Sequence, residues 1–135
     1  MKSEFLQLAL AIKKLPGPLY YMQNPGNLGD ALIHQGTLRF FKSIGVDPIL
    51  FNPGELKKAL LSPNGSVIYG GGGGWCELWN HSTVIVNQLS TVHNVLVLPS
   101  TYEIFNPINN KNVIFFRRDK GNSTKYIEDS IFCHD

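Results

Sequence analysis

Apolar and polar positions alternate along this chain in two rhythms, one of helices and one of strands. Phe5, Leu8, Ala9 and Ile12 stand at i, i+3, i+4 and i+7, which predicts an amphipathic helix at the start. Leu19 to Met22 reads as a strand and runs into the turn-rich Asn24-Pro-Gly-Asn-Leu-Gly-Asp30. The spacing of Leu32, Gln35, Leu38, Arg39 and Lys42 predicts a helix over Ala31 to Ile44, stopped by Gly45. Pro48 to Phe51 reads as a second strand. Pro53 to Leu61 reads as a short helix with Asn52 as its cap and Pro53 in its first position. Ser66 to Tyr69 is a third strand that leads directly into Gly70 to Gly74. Glu77 to Thr91 reads as helix in spite of the β-branched run Thr83 to Val86. Asn94 to Leu98 and Val113 to Phe116 are nearly continuous apolar runs, the pattern of strands covered on both faces. A helix over Ser123 to Asp129 and a short strand over Ile131 to Cys133 close the series.

Strands alternating with helices predict an α/β domain over residues 1–135, with an open, mostly parallel, Rossmann-like sheet and helices on both faces. In such sheets ligands lie in the crevice beyond the carboxyl ends of the strands. The segments that follow strands are therefore where chemistry is expected.

Composition narrows the function classes. The 135 residues, 43% apolar and 16% charged, suit a single folded domain rather than a disordered segment. Twelve basic against ten acidic side chains leave a formal net charge of +2, too small a bias for a protein built to grip nucleic-acid phosphates. Cys76 and Cys133 are too few for a disulfide scaffold, so a reducing, cytoplasmic setting is expected. Neither they nor His81, His93 and His134 show metal-ligand spacing, and no metal is expected. No apolar run approaches the roughly 20 residues that span a bilayer, so no transmembrane segment is expected. Gln7, Lys13 and Lys14 spoil the one stretch that looks like a signal-peptide core.

Four strand-end segments carry candidate chemistry. In the first, Asn27 can cap the following helix with Asp30 near its positive end, which is a purely structural use. The same geometry, with Gly29 allowing close approach, also suits a sugar or an anion. Asp30 and His34 are four apart and share a helix face, either as a surface pair or as a carboxylate and imidazole acting on a hydroxyl proton. In the second, five consecutive glycines are costly to order, by up to about 1 kcal/mol each relative to Ala. A strand end is a poor place for a flexible linker, so Gly71, Gly72, Gly73 and Gly74 read as backbone pressed against a ligand. No Walker lysine follows the tract, and Trp75 stands where a dinucleotide fingerprint needs glycine. Trp75 and Trp79 can stack on a sugar or serve as core, and Glu77 lies between them. In the third, Pro99-Ser-Thr-Tyr-Glu103, Ser100 and Thr101 either face the crevice or cap a turn. In the fourth, Arg117 and Arg118 point to opposite faces. One of them can clamp a carboxylate or phosphate, or pair with Asp119.

Taken in order, GNLGDALIHQGTLRFFKSIG, VIYGGGGGWCELW, VLVLPSTYE and FFRRDKGNS resemble the polysaccharide pyruvyl transferase family over residues 24–123. The sequence departs from the family pattern at Ser100, where Gln is usual, and in having three residues between Asp119 and Ser123. The resemblance implies one half of a GT-B-like pair of Rossmann-like domains. It also implies transfer of pyruvate from phosphoenolpyruvate to a sugar as a ketal during exopolysaccharide or cell-wall polymer synthesis. Phosphoenolpyruvate would be the donor substrate, and no cofactor is implied. The expected partners are a saccharide acceptor, free or lipid-linked at the inner face of the membrane, and either a second copy or a carboxyl-terminal domain. On this reading Asp30 and His34 activate the acceptor. Asn27, Gly29, Gly71, Gly72, Gly73, Gly74, Trp75, Glu77, Ser100, Thr101, Arg117, Arg118 and Asp119 hold substrate. Two other readings stay open: a non-catalytic saccharide- or phosphate-binding module, and half of a sugar-nucleotide glycosyltransferase.

Overall fold

The computed structural model describes every residue except Asn27, Asn106, Pro107, Asn109 and Asp135. In chain order the elements are α1 (Ser3–Lys13), β1 (Leu19–Met22), α2 (Leu28–Ser43), β2 (Ile49–Phe51), α3 (Leu56–Leu61) and β3 (Ser66–Tyr69). Then follow α4 (His81–Leu89), β4 (Asn94–Ser100), β5 (Val113–Arg117), a 3-10 turn (Asn122–Lys125) and β6 (Ile131–Phe132). The six strands form one open sheet in the order β2-β1-β3-β4-β5-β6, and every neighbouring pair is parallel. The fold is the Rossmann-like α/β arrangement that the alternating pattern implies.

The two-residue period of the strands sorts their side chains into two cores. Tyr20, Met22, Val67, Tyr69, Val95, Val97 and Phe115 turn one way, onto Ala59 of α3 and Val86 and Leu89 of α4. Tyr21, Ile68, Leu96, Leu98 and Phe116 turn the other way, onto Leu8, Ala9 and Ile12 of α1 and Phe41 of α2. All four residues of β3 are buried, which is why its sequence shows no polar alternation.

Four helices differ from expectation, α2 among them in beginning at Leu28 rather than Ala31. Proline at position 53 does not begin α3. Asn52 N–H donates to the Glu55 carboxylate at 2.8 Å and Glu55 N–H returns to the Asn52 carbonyl at 2.9 Å. This reciprocal turn delays the helix to Leu56. The fourth helix begins at His81, because Cys76 and Trp79 exchange backbone hydrogen bonds at 3.2 Å and close residues 76–79 into a loop. The expected helix after Asp119 shrinks to a 3-10 turn, since the chain must reach β6 by Ile131.

The connectivity locates a crevice. From β1 the chain passes through α2 to β2 on one side, then through α3 back across to β3 on the other. The loops after β1 and β3 thus part company at neighbouring strand ends. This is the topological switch point, where open α/β sheets bind ligands.

Candidate functional site

Asn24, the second residue after β1, fills the switch point with a side chain only 3% exposed. Its Nδ2 donates to the carbonyls of Gly71 at 3.3 Å and Gly73 at 3.0 Å. Its Oδ1 lies 3.0 Å from His81 Nε2, 3.2 Å from the Tyr69 hydroxyl and 3.3 Å from the Ser82 hydroxyl. Ser82 also donates to the Gly73 carbonyl at 3.0 Å and meets the Tyr69 hydroxyl at 3.0 Å. Burial pushes the Tyr69 phenol well above its ordinary pKa and keeps it a donor. The glycine tract is therefore tied down by the side chains of Asn24, just after β1, and Ser82 of α4, which Tyr69 of β3 bridges. Its main chain also continues the sheet: Gly70 N–H donates to Met22, Gly72 N–H donates to Pro99, and the Gly72 carbonyl accepts from Thr101.

This network changes what the glycines are for. A Cβ on Gly71 would overlap the Pro99 carbonyl, and one on Gly70 would overlap the Asn24 backbone amide. Gly72 and Gly74 have φ of 122° and 91°, where side chains are strained, and a Cβ there would also meet Asp30 or the His81–Ser82 pair. Gly73 alone in the tract faces open space. The expectation that Gly71, Gly72, Gly73 and Gly74 all press against a ligand is thus corrected: intramolecular packing demands four of the five glycines, and Gly73 is the exposed one.

Asp30 and His34 each meet other parts of the fold. Asp30, in the first turn of α2, sets its carboxylate against Gly26 and Gly72 at the crevice. One helical turn on, His34 Nδ1 meets the Tyr21 hydroxyl at 2.9 Å and its ring stacks on Tyr21 at 5.6 Å and 5°. Burial lowers the His34 pKa and raises that of Tyr21 to about 12. Gly29 is exposed in the same first turn, and Asn27 lies outside the described residues.

Trp75 is core rather than a sugar platform: it is 1% exposed and packs edge-on against Tyr102 and Phe115. Trp79 is 70% exposed. Glu77 lines an open cleft of about 560 Å³ with Glu103, Phe105 and Tyr126, beyond the ends of β3 and β4. Ser100 is also withdrawn from the crevice, fully buried with its hydroxyl on the Leu98 carbonyl at 2.8 Å.

The arginines divide as their opposite directions require. Arg117 Nη1 donates to the Ser130 carbonyl, and its Nε is buried without an acceptor among the described residues. Arg118, part-exposed, is steadied by Thr101, whose hydroxyl accepts from Nε at 2.6 Å. Asp119 turns to the 3-10 turn, where its carboxylate accepts from the Ser123 amide at 2.8 Å and from the Ser123 hydroxyl. Burial raises its pKa, but these bonds together outweigh burial and hold the carboxyl below its ordinary range.

Asn24, Tyr69, His81 and Ser82 escaped the sequence reading. No local spacing joins positions 24, 69 and 81, although each lies within a few residues of a turn-rich segment or the glycine tract. Among the described residues, no three His, Cys, Asp or Glu side chains gather as a metal site would need, and no helix is long and apolar enough to cross a membrane.

No family model matches the chain, and no curated protein matches it. It is similar to a crystal structure of an uncharacterised protein from Klebsiella pneumoniae subsp. pneumoniae NTUH-K2044, with a TM-score of 0.80 and 26% identity. That likeness covers 100% of this chain and 56% of the other, so this chain spans little more than half the length of its structural neighbour.

Proposed function

We propose that this chain is the amino-terminal half of a polysaccharide pyruvyl transferase-like enzyme, which moves pyruvate from phosphoenolpyruvate to a saccharide as a ketal. One observation carries the reading. The strand-end segments that resemble the family meet along one edge of a parallel sheet, with Asn24 and Asp30 after β1, the glycine tract after β3, Thr101 after β4 and Arg118 after β5. An enol phosphate with a carboxylate needs cationic and amide donors, and Arg118 and the backbone at Gly73 supply those types. A sugar needs hydrogen-bonding carboxylates and an apolar surface, and the Glu77, Glu103, Phe105 and Tyr126 cleft supplies both. Arg117 gives Nη1 to the Ser130 carbonyl, so on this reading the donor clamp is Arg118.

The test is phosphate release from phosphoenolpyruvate by the full-length gene product, across a panel of β-glucoside and β-galactoside acceptors. Release that depends on one acceptor, with pyruvate recovered on the sugar, supports the reading. A folded protein that releases phosphate with none of them overturns it. Transfer of sugar from a labelled nucleotide donor would replace it with the glycosyltransferase alternative.

A further inference from the structure

The protons of the Asn24 network can be assigned without ambiguity. The carbonyls of Gly71 and Gly73 are acceptors only, so the Asn24 atom that faces them is the amide nitrogen. The opposite atom is then the amide oxygen, itself an acceptor only. His81 Nε2, 3.0 Å from that oxygen, must therefore carry the hydrogen. A neutral imidazole protonated on Nε2 has its lone pair on Nδ1. His81 is part-exposed, and Nδ1 has no hydrogen-bond partner among the described residues. Its ring lies against Gly74, one residue from Gly73 and the open space above it.

His93 is the internal contrast. It is 2% exposed, its Nδ1 accepts from Gly65 N–H at 3.2 Å, and its Nε2 donates to the Ala59 carbonyl at 2.8 Å. Both nitrogens are spent on the fold. His34 is likewise turned inward, onto Tyr21. His81 is anchored at the switch point through Nε2, and its part-exposed ring keeps Nδ1 for other use.

We infer that His81 is the proton acceptor of the crevice, oriented by Asn24, in the place that sequence spacing suggested for Asp30 and His34. The inference rests on the transfer reading for its substrate. In the first addition, the acceptor hydroxyl loses its proton to Nδ1 and the oxygen pair forms the bond to the central carbon of the enol phosphate. The electron pair of the carbon–carbon double bond takes the proton back from the imidazolium at the methylene carbon, which becomes a methyl group. The imidazole is returned neutral; the second hydroxyl then gives its proton to Nδ1 as its oxygen replaces phosphate, and the phosphate leaves with its bonding pair and carries that proton away.

Two measurements decide this, and the first does not depend on any activity. Long-range proton–nitrogen NMR of the 135-residue chain should show His81 with hydrogen on Nε2 and a bare Nδ1, the pattern that His93 displays beside it. Diethyl pyrocarbonate should then modify His81 in the native protein and spare His93. Hydrogen on Nδ1, or an inert His81 where exposed His134 reacts, overturns the inference. Secondly, His81→Gln keeps an N–H donor for Asn24. In the full-length product it should leave the unfolding midpoint unchanged and lower phosphate release at least about 100-fold. Undiminished release overturns the inference. If the parent protein releases no phosphate, the transfer reading falls by itself, and the NMR and modification results decide His81.

Discussion

The two sides of the crevice are held together differently. On the β1–β3 side, one buried amide from Asn24 ties down the carbonyls of Gly71 and Gly73 and receives His81, and the tract has no room for a Cβ except at Gly73. On the β4–β5 side, part-exposed Arg118 is held at Nε by the Thr101 hydroxyl at 2.6 Å. The first side is built to one geometry before any ligand arrives, while the second presents a part-exposed cation. Such a division suits a site that must place a proton acceptor accurately and meet an anion.

Breaking the rigid side should cost most. Asn24→Ala leaves the buried Gly71 carbonyl without its side-chain donor, leaves the Gly73 carbonyl to Ser82 alone and takes the shared acceptor from Tyr69 and His81, and we expect a loss of about 3 kcal/mol of stability in urea denaturation. A loss below about 1 kcal/mol would mean that water substitutes for the amide and that the two sides are not so different. Gly71→Ala drives a Cβ into the Pro99 carbonyl and should cost about 2 kcal/mol, whereas Gly73→Ala should change stability by less than about 0.5 kcal/mol. Equal costs at the two positions would contradict the packing assigned to the tract. On the β4–β5 side, Arg118→Gln should also stay within about 0.5 kcal/mol while weakening any anion bound in the crevice, a contrast that calorimetry with phosphoenolpyruvate would read.

The smallest effects are pH-dependent. The His34 pKa is lowered by burial, so the unfolded chain binds more protons. Stability should therefore fall as pH drops below the ordinary imidazole value of 6.5, and His34→Gln should flatten that limb of the profile. For Asp119 the folded value is depressed, so its contribution is present above the ordinary value of 3.8 and is lost as pH falls through the folded one. Asp119→Asn should remove that acid limb and lower stability across the neutral range, where the ionised carboxylate makes its contribution. Midpoints of urea unfolding across the pH range would check both.

Much of the scaffold was legible from spacing. The strands Leu19–Met22 and Ser66–Tyr69 stand where alternation and apolar runs placed them, because a strand covered on both faces must be apolar throughout. The helix ends were less legible. Reciprocal hydrogen bonds at Asn52–Glu55 and Cys76–Trp79 delay α3 and α4, and propensity does not anticipate such closures. Within the candidate site, the glycine tract announced itself by composition, and Trp75 and Trp79 could not be told apart until burial separated them.

Local chemistry written into the chain was enough for the α/β rhythm, the parallel sheet and the four strand-end segments, since each depends on residues within a few positions of one another. Which side chains meet there depends on strand order. Placing β1 beside β3 brings Asn24 to Gly71, Gly73 and His81, across 47, 49 and 57 residues of sequence. No periodicity spans such separations. The same packing set Asp30 against Gly26 and Gly72 and His34 on Tyr21, and gave the tract its glycines for contact within the protein. It left His81, a residue without a telling neighbour in the sequence, oriented at the switch point.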